Sequence, residues 1–165
     1  MIYITDGVIN VSKPVKLNEL IDEMELNFDE YTTFYHPKSG EFYSISDHAF
    51  AAAEGDESMI GLHDIEDEEI EIAGDIYENS SDYIELPDRF EIDEYAMLEE
   101  FSISVKDEKA SRMLQIAIKG SGAFRRFKET VSELDLEQEW YSFRDEQYKK
   151  KAIEWCQING LEYVE

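Results

Sequence analysis

The stretch Tyr83-Ile84-Glu85-Leu86-Pro87-Asp88-Arg89-Phe90-Glu91-Ile92-Asp93-Glu94-Tyr95 separates two kinds of pattern in this chain. Upstream of Pro87 the apolar residues alternate in short runs broken by turn residues. Downstream they recur every three or four positions: Ile92, Tyr95, Leu98, Phe101. A period of two places neighbours on opposite faces of a strand, and a period near 3.6 draws a stripe along a helix. The switch predicts an α+β fold, a small antiparallel sheet of hairpins with helices followed by a C-terminal helical half. At 165 residues the chain reads as a single compact domain, with an acidic α+β part over 1–87 and a helical part over 88–165.

Working back from Pro87, Tyr31-Thr32-Thr33-Phe34-Tyr35 and Glu41-Phe42-Tyr43-Ser44-Ile45 flank the turn residues Pro37-Lys38-Ser39-Gly40 and read as a hairpin. An earlier hairpin is expected around Asp6-Gly7, a pair suited to the positive φ angles of a tight turn. Between them Leu17, Leu20, Ile21 and Met24 share a helical face, with Asn18 as a candidate cap. Ser46-Asp47 should cap a short helix over 49–53. Residues 62–78 fit a helical face better than strand alternation.

Working forward, Asp107 is placed to cap a helix that Gly120 stops. A further face is Phe124, Phe127, Val131, Leu134, with Ser121 as the expected cap. The longest helix should run from about 136 to 158. The expected core is Leu20, Phe34, Ile84, Tyr95, Leu98, Leu114, Phe124, Phe127, Val131, Trp140 and Trp155.

Charge is unevenly distributed. Residues 1–100 hold 28 of the 40 carboxylates against four bases, a balance of −24, whereas residues 101–165 balance to −1. The overall −25 disfavours direct nucleic-acid binding, which rests on cationic neutralisation of phosphate. The longest uninterrupted apolar run covers residues 49–53, far short of the roughly 20 residues of a membrane helix. No leader segment is read at the N-terminus, and one cysteine suits a reducing compartment, so the expected location is cytoplasmic.

Few motifs carry chemistry. His36, His48 and His63 lack the spacing that puts two imidazoles on one helical face, and Asp64 with 66–69 lacks the pattern of a calcium loop. Cys156, deep in the last helix, reads as a buried structural thiol. Gly120-Ser121-Gly122 is not a nucleophile elbow. Lys149, Lys150 and Lys151 fan around a helix and do not focus a patch. No catalytic set, metal site or cofactor is therefore assigned. The exception is 119–128, Lys-Gly-Ser-Gly-Ala-Phe-Arg-Arg-Phe-Lys. Glycines at a helix start allow an anion to approach backbone N–H groups, and cations there oppose the helix dipole unless a negative partner offsets them. Gly122, Arg125, Arg126 and Lys128 form the candidate anion-binding set. The anion is either an external ligand or a carboxylate of the protein itself, Glu129 being in reach of both arginines.

Three further stretches, Gly122-Ala123-Phe124-Arg125-Arg126-Phe127-Lys128, Glu139-Trp140-Tyr141-Ser142-Phe143-Arg144-Asp145, and Glu154-Trp155-Cys156 followed by Asn159-Gly160-Leu161-Glu162-Tyr163, join the 83–95 stretch in resembling the bacterial uncharacterised protein family 0158. The likeness covers about residues 15–163. It implies a bacterial, cytosolic, single-domain protein, and it transfers no activity, cofactor or site residue. Two functional readings follow. One is a non-enzymatic binding or regulatory protein whose acidic surface attracts a basic protein partner. The other is a small enzyme or ligand-binding domain for a phosphorylated or anionic substrate at residues 122–128. The oligomeric state is not legible in the pattern.

Overall fold

A computed structural model describes residues 2–5, 8–26, 28–56, 58 and 65–165. The architecture is α+β. The chain divides into two compact units, one formed by Met1–Asp88 with Ala152–Glu165 and the other by Arg89–Lys151. The division falls next to Pro87, where the pattern changes.

In the first unit, β1 (Ile2–Thr5) and β2 (Val8–Val11) pair antiparallel from Ile2↔Val11 to Thr5↔Val8. The Asp6-Gly7 turn expected between them lies outside the described residues. β3 (Val15–Lys16) leads into α1 (Leu17–Glu25) and pairs in parallel with β7 (Tyr163–Val164). Asn18 does not cap α1: the helix begins one residue earlier, behind Lys16, which makes no side-chain capping bond.

β4 (Tyr31–His36) and β5 (Glu41–Ser46) form the expected hairpin. Its turn closes where the Gly40 N–H donates to the His36 carbonyl at 2.8 Å, with Gly40 at φ +75°, a conformation glycine adopts without steric cost. β6 (Ile84–Glu85) joins the other side of β4, giving the order β5-β4-β6. Period two then sorts the side chains. Phe34, Tyr43 and Ile45 turn to a cluster containing Ala49 of α2 (Asp47–Ala53) with Ala73 and Ile76 of α3 (Asp67–Glu78). On the opposite face Tyr35 packs on Phe42 and edge-on to Trp155 (6.0 Å between centroids), and α1 borders Thr33 and Phe42. Ser46 caps α2 as expected, its Oγ accepting from the Ala49 N–H at 3.2 Å.

The second unit is helical: α4 (Arg89–Ile92), α5 (Glu94–Ser104), α6 (Glu108–Ala117), α7 (Ala123–Glu133) and the larger part of α8 (Glu137–Ile158), whose last turns belong to the first unit. Asp107 caps α6 through the Ala110 N–H at 2.9 Å, as its spacing predicts. Asp93 caps α5 through Ala96 while sitting at φ +51°, a left-handed conformation that short polar residues tolerate. Phe101, Phe127 and Trp140 form an edge-on ring cluster with centroids 4.8–6.0 Å apart, inside a core that includes Leu98, Leu114 and Val131. Two expected core residues are exposed and two are only half-buried. Tyr95 is 38% exposed and Phe124 44%, because they meet edge-on at the margin, where the Tyr95 hydroxyl donates to the Ile118 carbonyl. Phe34 and Ile84, on a three-stranded sheet with short β6, are half-buried. No helix among the described residues is long and apolar enough to cross a membrane.

Candidate functional site

At the 119–128 segment, helix α7 starts at Ala123. Gly122 is its N-cap, at φ +77°, so Ser121 does not cap it as expected. The two arginines differ. Arg125 is exposed and lies 3.8 Å from Glu129, the expected i,i+4 partner. Arg126 turns back: Nε donates to the Ala117 carbonyl at 2.9 Å, Nη1 to that of Ser121 and Nη2 to that of Lys119, both at 2.5 Å. These carbonyls belong to the end of α6 and the loop after it, where helix carbonyls lack intrahelical partners and a cation is favoured. The internal partner of Arg126 is thus a ring of backbone oxygens. A Cβ at Gly122 would stand 3.1 Å from Arg126 Nη1, so the glycine makes room for the guanidinium. Lys128 is exposed.

A charged cluster that the sequence reading missed lies in the same unit. Glu94 Oε1 accepts from Arg144 Nη2 at 2.8 Å and from the Tyr148 hydroxyl at 2.5 Å, and the guanidinium lies 4.6 Å from the Tyr148 ring centroid. Burial would raise the Glu94 pKa, but the hydrogen bonds from Tyr148 and Arg144, with the nearby charges of Arg144 and Lys128, outweigh it and hold the carboxyl below its ordinary range. The partners are 50 and 54 residues apart, joined only when α5 and α8 pack. Arg144 and Tyr148, at i and i+4 on α8, were the one visible signal.

On the sheet of the first unit, Asp75 accepts from the Tyr83 hydroxyl and from Asn79 Nδ2, and the His36 ring lies 4.9 Å from that of Tyr83. Burial and the Asp75 bond raise the Tyr83 pKa, while the Tyr83 and Asn79 bonds lower that of Asp75. Both groups are held away from the neutral range in which proton exchange is efficient. Burial likewise raises the Cys156 thiol to about 11, as befits a structural cysteine. His63 and Asp64 lie outside the described residues.

The largest concentration of like charge also sits in the first unit: 26 Asp and Glu against three lysines, −23, whereas the second unit balances to −2. Of the three lysines, Lys16 bonds Glu19 at 2.8 Å and Lys38 bonds Asp82 at 3.1 Å. The acids line two open grooves beside β5. One, of about 370 Å³, lies between α1 and the hairpin, with Glu19, Asp22 and Glu23 facing Glu41, Phe42 and Tyr43. The other, of about 310 Å³, brings Glu66, Glu68 and Glu69 at the start of α3 alongside Phe42 and Tyr43. Burial, and secondarily the Asp22 charge, raises the Glu23 pKa. The acidity of this half was legible in the sequence. Its focus on β5 was not, because the carboxylates come from segments some forty residues apart.

No curated protein and no solved structure matches the chain. A family model described as "Uncharacterised protein family (UPF0158)" matches residues 12–165, nearly the whole sequence, including the 83–95 and 122–128 stretches. The chain belongs to uncharacterised protein family UPF0158.

Proposed function

We propose that this protein is a non-enzymatic binding protein that recognises a basic polypeptide through its acidic first unit. The observation that carries the reading is the pair of carboxylate-lined grooves flanking one strand, in a unit of charge −23. Such a surface steers cationic partners by its long-range field and repels anionic ones. Phe42 on the α1 face and Tyr43 on the α3 face each set one aromatic ring beside the carboxylates, and cations are drawn to such rings. The bacterial cytoplasm, where a lone thiol stays reduced, is the setting we infer. The alternative, an anionic ligand at residues 122–128, has Arg125 and Lys128 exposed, but Arg126 is engaged with its own backbone.

The test is titration of the full chain with a labelled nonapeptide of arginine at several NaCl concentrations. Binding at low salt that weakens steeply with added NaCl is the expected result. No binding in dilute buffer, or binding indifferent to salt, would overturn the proposal.

A further inference from the structure

We infer that strand β5 is the docking element, and that its occupant is an extended Lys/Arg-rich segment added as a further strand. This rests on the reading above and specifies how the acidic unit recognises its partner.

β5 pairs with β4 on one side and with no other described strand on the other. In an antiparallel strand each residue turns its N–H and C=O to one side, and the side alternates along the chain. The Ser46 N–H points away from β4, since it donates to Glu69 Oε1 at 2.8 Å. By the same alternation Phe42 and Ser44 present their N–H and C=O groups to the outer edge. Glu69 closes the edge at Ser46, leaving a short rung pattern over 42–44.

A strand laid along that edge sends alternate side chains to opposite faces of the sheet. One face carries α1 with Glu19, Asp22 and Glu23, and the other carries the start of α3 with Glu66 and Glu68. Both faces of the incoming strand therefore meet carboxylates. A neutral or one-sided amphipathic peptide would leave one set of acids desolvated without a partner. A run in which successive residues are basic satisfies both. The main chain supplies affinity through edge hydrogen bonds and the side-chain positions supply selectivity, the physics of strand addition. A second copy of this chain is excluded as occupant by charge, because it would bring one −23 unit against another.

Two probes of equal charge test the idea on the full chain: a nonapeptide of L-arginine, and an oligomer bearing the same nine guanidinium side chains on N-substituted glycines, which has no backbone N–H. The expected result is at least about tenfold weaker binding of the second, with the amide signals of Phe42 and Ser44 shifting only when the first is added. Asp22→Asn with Glu23→Gln, and separately Glu68→Gln, should each weaken the arginine peptide several-fold, while Glu99→Gln with Glu100→Gln in the second unit should not. Equal affinity for the two probes, or unmoved Phe42 and Ser44 amides on saturation, would overturn strand addition and leave the acidic-surface proposal standing. Failure of both probes to bind overturns both.

Discussion

The two units solve the same problem, keeping charged groups beside an apolar core, in opposite ways. The first lets like charges accumulate around its sheet and holds few cations to neutralise them. The second is almost balanced and uses its cations as structural groups. Arg126 gathers three backbone carbonyls, and Arg144 with Tyr148 locks one carboxylate. Net charge and internal electrostatic order are therefore separate properties, and the excess of like charge is concentrated in the first unit.

One tryptophan in each unit makes the comparison measurable: Trp140 belongs to the second, Trp155 to the first. Single-tryptophan variants would report each by fluorescence. The largest expected effect is Phe127→Ala, which removes a fully buried ring from the Phe101–Trp140 cluster and should cost about 3–5 kcal/mol in urea unfolding followed at Trp140. A loss below about 1 kcal/mol would place Phe127 on a pliable face.

Next comes Arg126→Gln. It strips charge-assisted hydrogen bonds from the end of α6, partly compensated by water at this half-exposed site, and should cost about 1–3 kcal/mol. The neighbouring Arg125→Gln should change stability by at most about 0.5 kcal/mol, since its pair is long and exposed. Equal effects would erase the distinction between the two arginines.

Acid and salt act more gently and on different units. Because the Glu94 carboxyl is lowered in the folded state, its contribution is complete above its ordinary value near 4.5 and is lost as the pH falls through the lowered one. The Trp140 midpoint should fall in that acid range, and Glu94→Gln should flatten the fall. NaCl should raise the Trp155 midpoint more than the Trp140 midpoint, because screening relieves repulsion where like charge is concentrated. A drop at Trp155 would mean that specific attractive pairs dominate the first unit, and coincident midpoints throughout would show that the two units unfold as one.

What the sequence made legible was local. The Tyr31–His36 and Glu41–Ser46 hairpin, the Ser46 and Asp107 caps and the long last helix all follow from near-neighbour chemistry. Periodicity does not tell a helix's buried stripe from its margin, and so predicts a core position for Tyr95 and Phe124, which lie at the edge. The helix-start argument likewise expects an anion, external or the protein's own carboxylate, beside Arg126. Side-chain cations can be satisfied by backbone oxygens, and no composition or spacing rule marks a carbonyl as waiting for one. The focus of acids on β5 stayed hidden for a related reason: Glu23 and Glu68 become neighbours of one strand only after the sheet has formed.

The division of the chain also sets an order of assembly. The second unit is continuous in sequence, while the first is split around it. Val15 finds its partner at Tyr163, and the Trp155 indole donates to the Glu85 carbonyl at 2.9 Å. During synthesis Val15 and Tyr35 lack their partners Tyr163 and Trp155 until residues 152–165 emerge, while the cluster of Ile45, Ala49, Ala73 and Ile76 lies wholly within the opening 88 residues. The helical insert has all its own contacts available earlier. The first unit is thus expected to be completed last, and its many carboxylates repel other nascent copies during the interval when the Tyr35 face is uncovered.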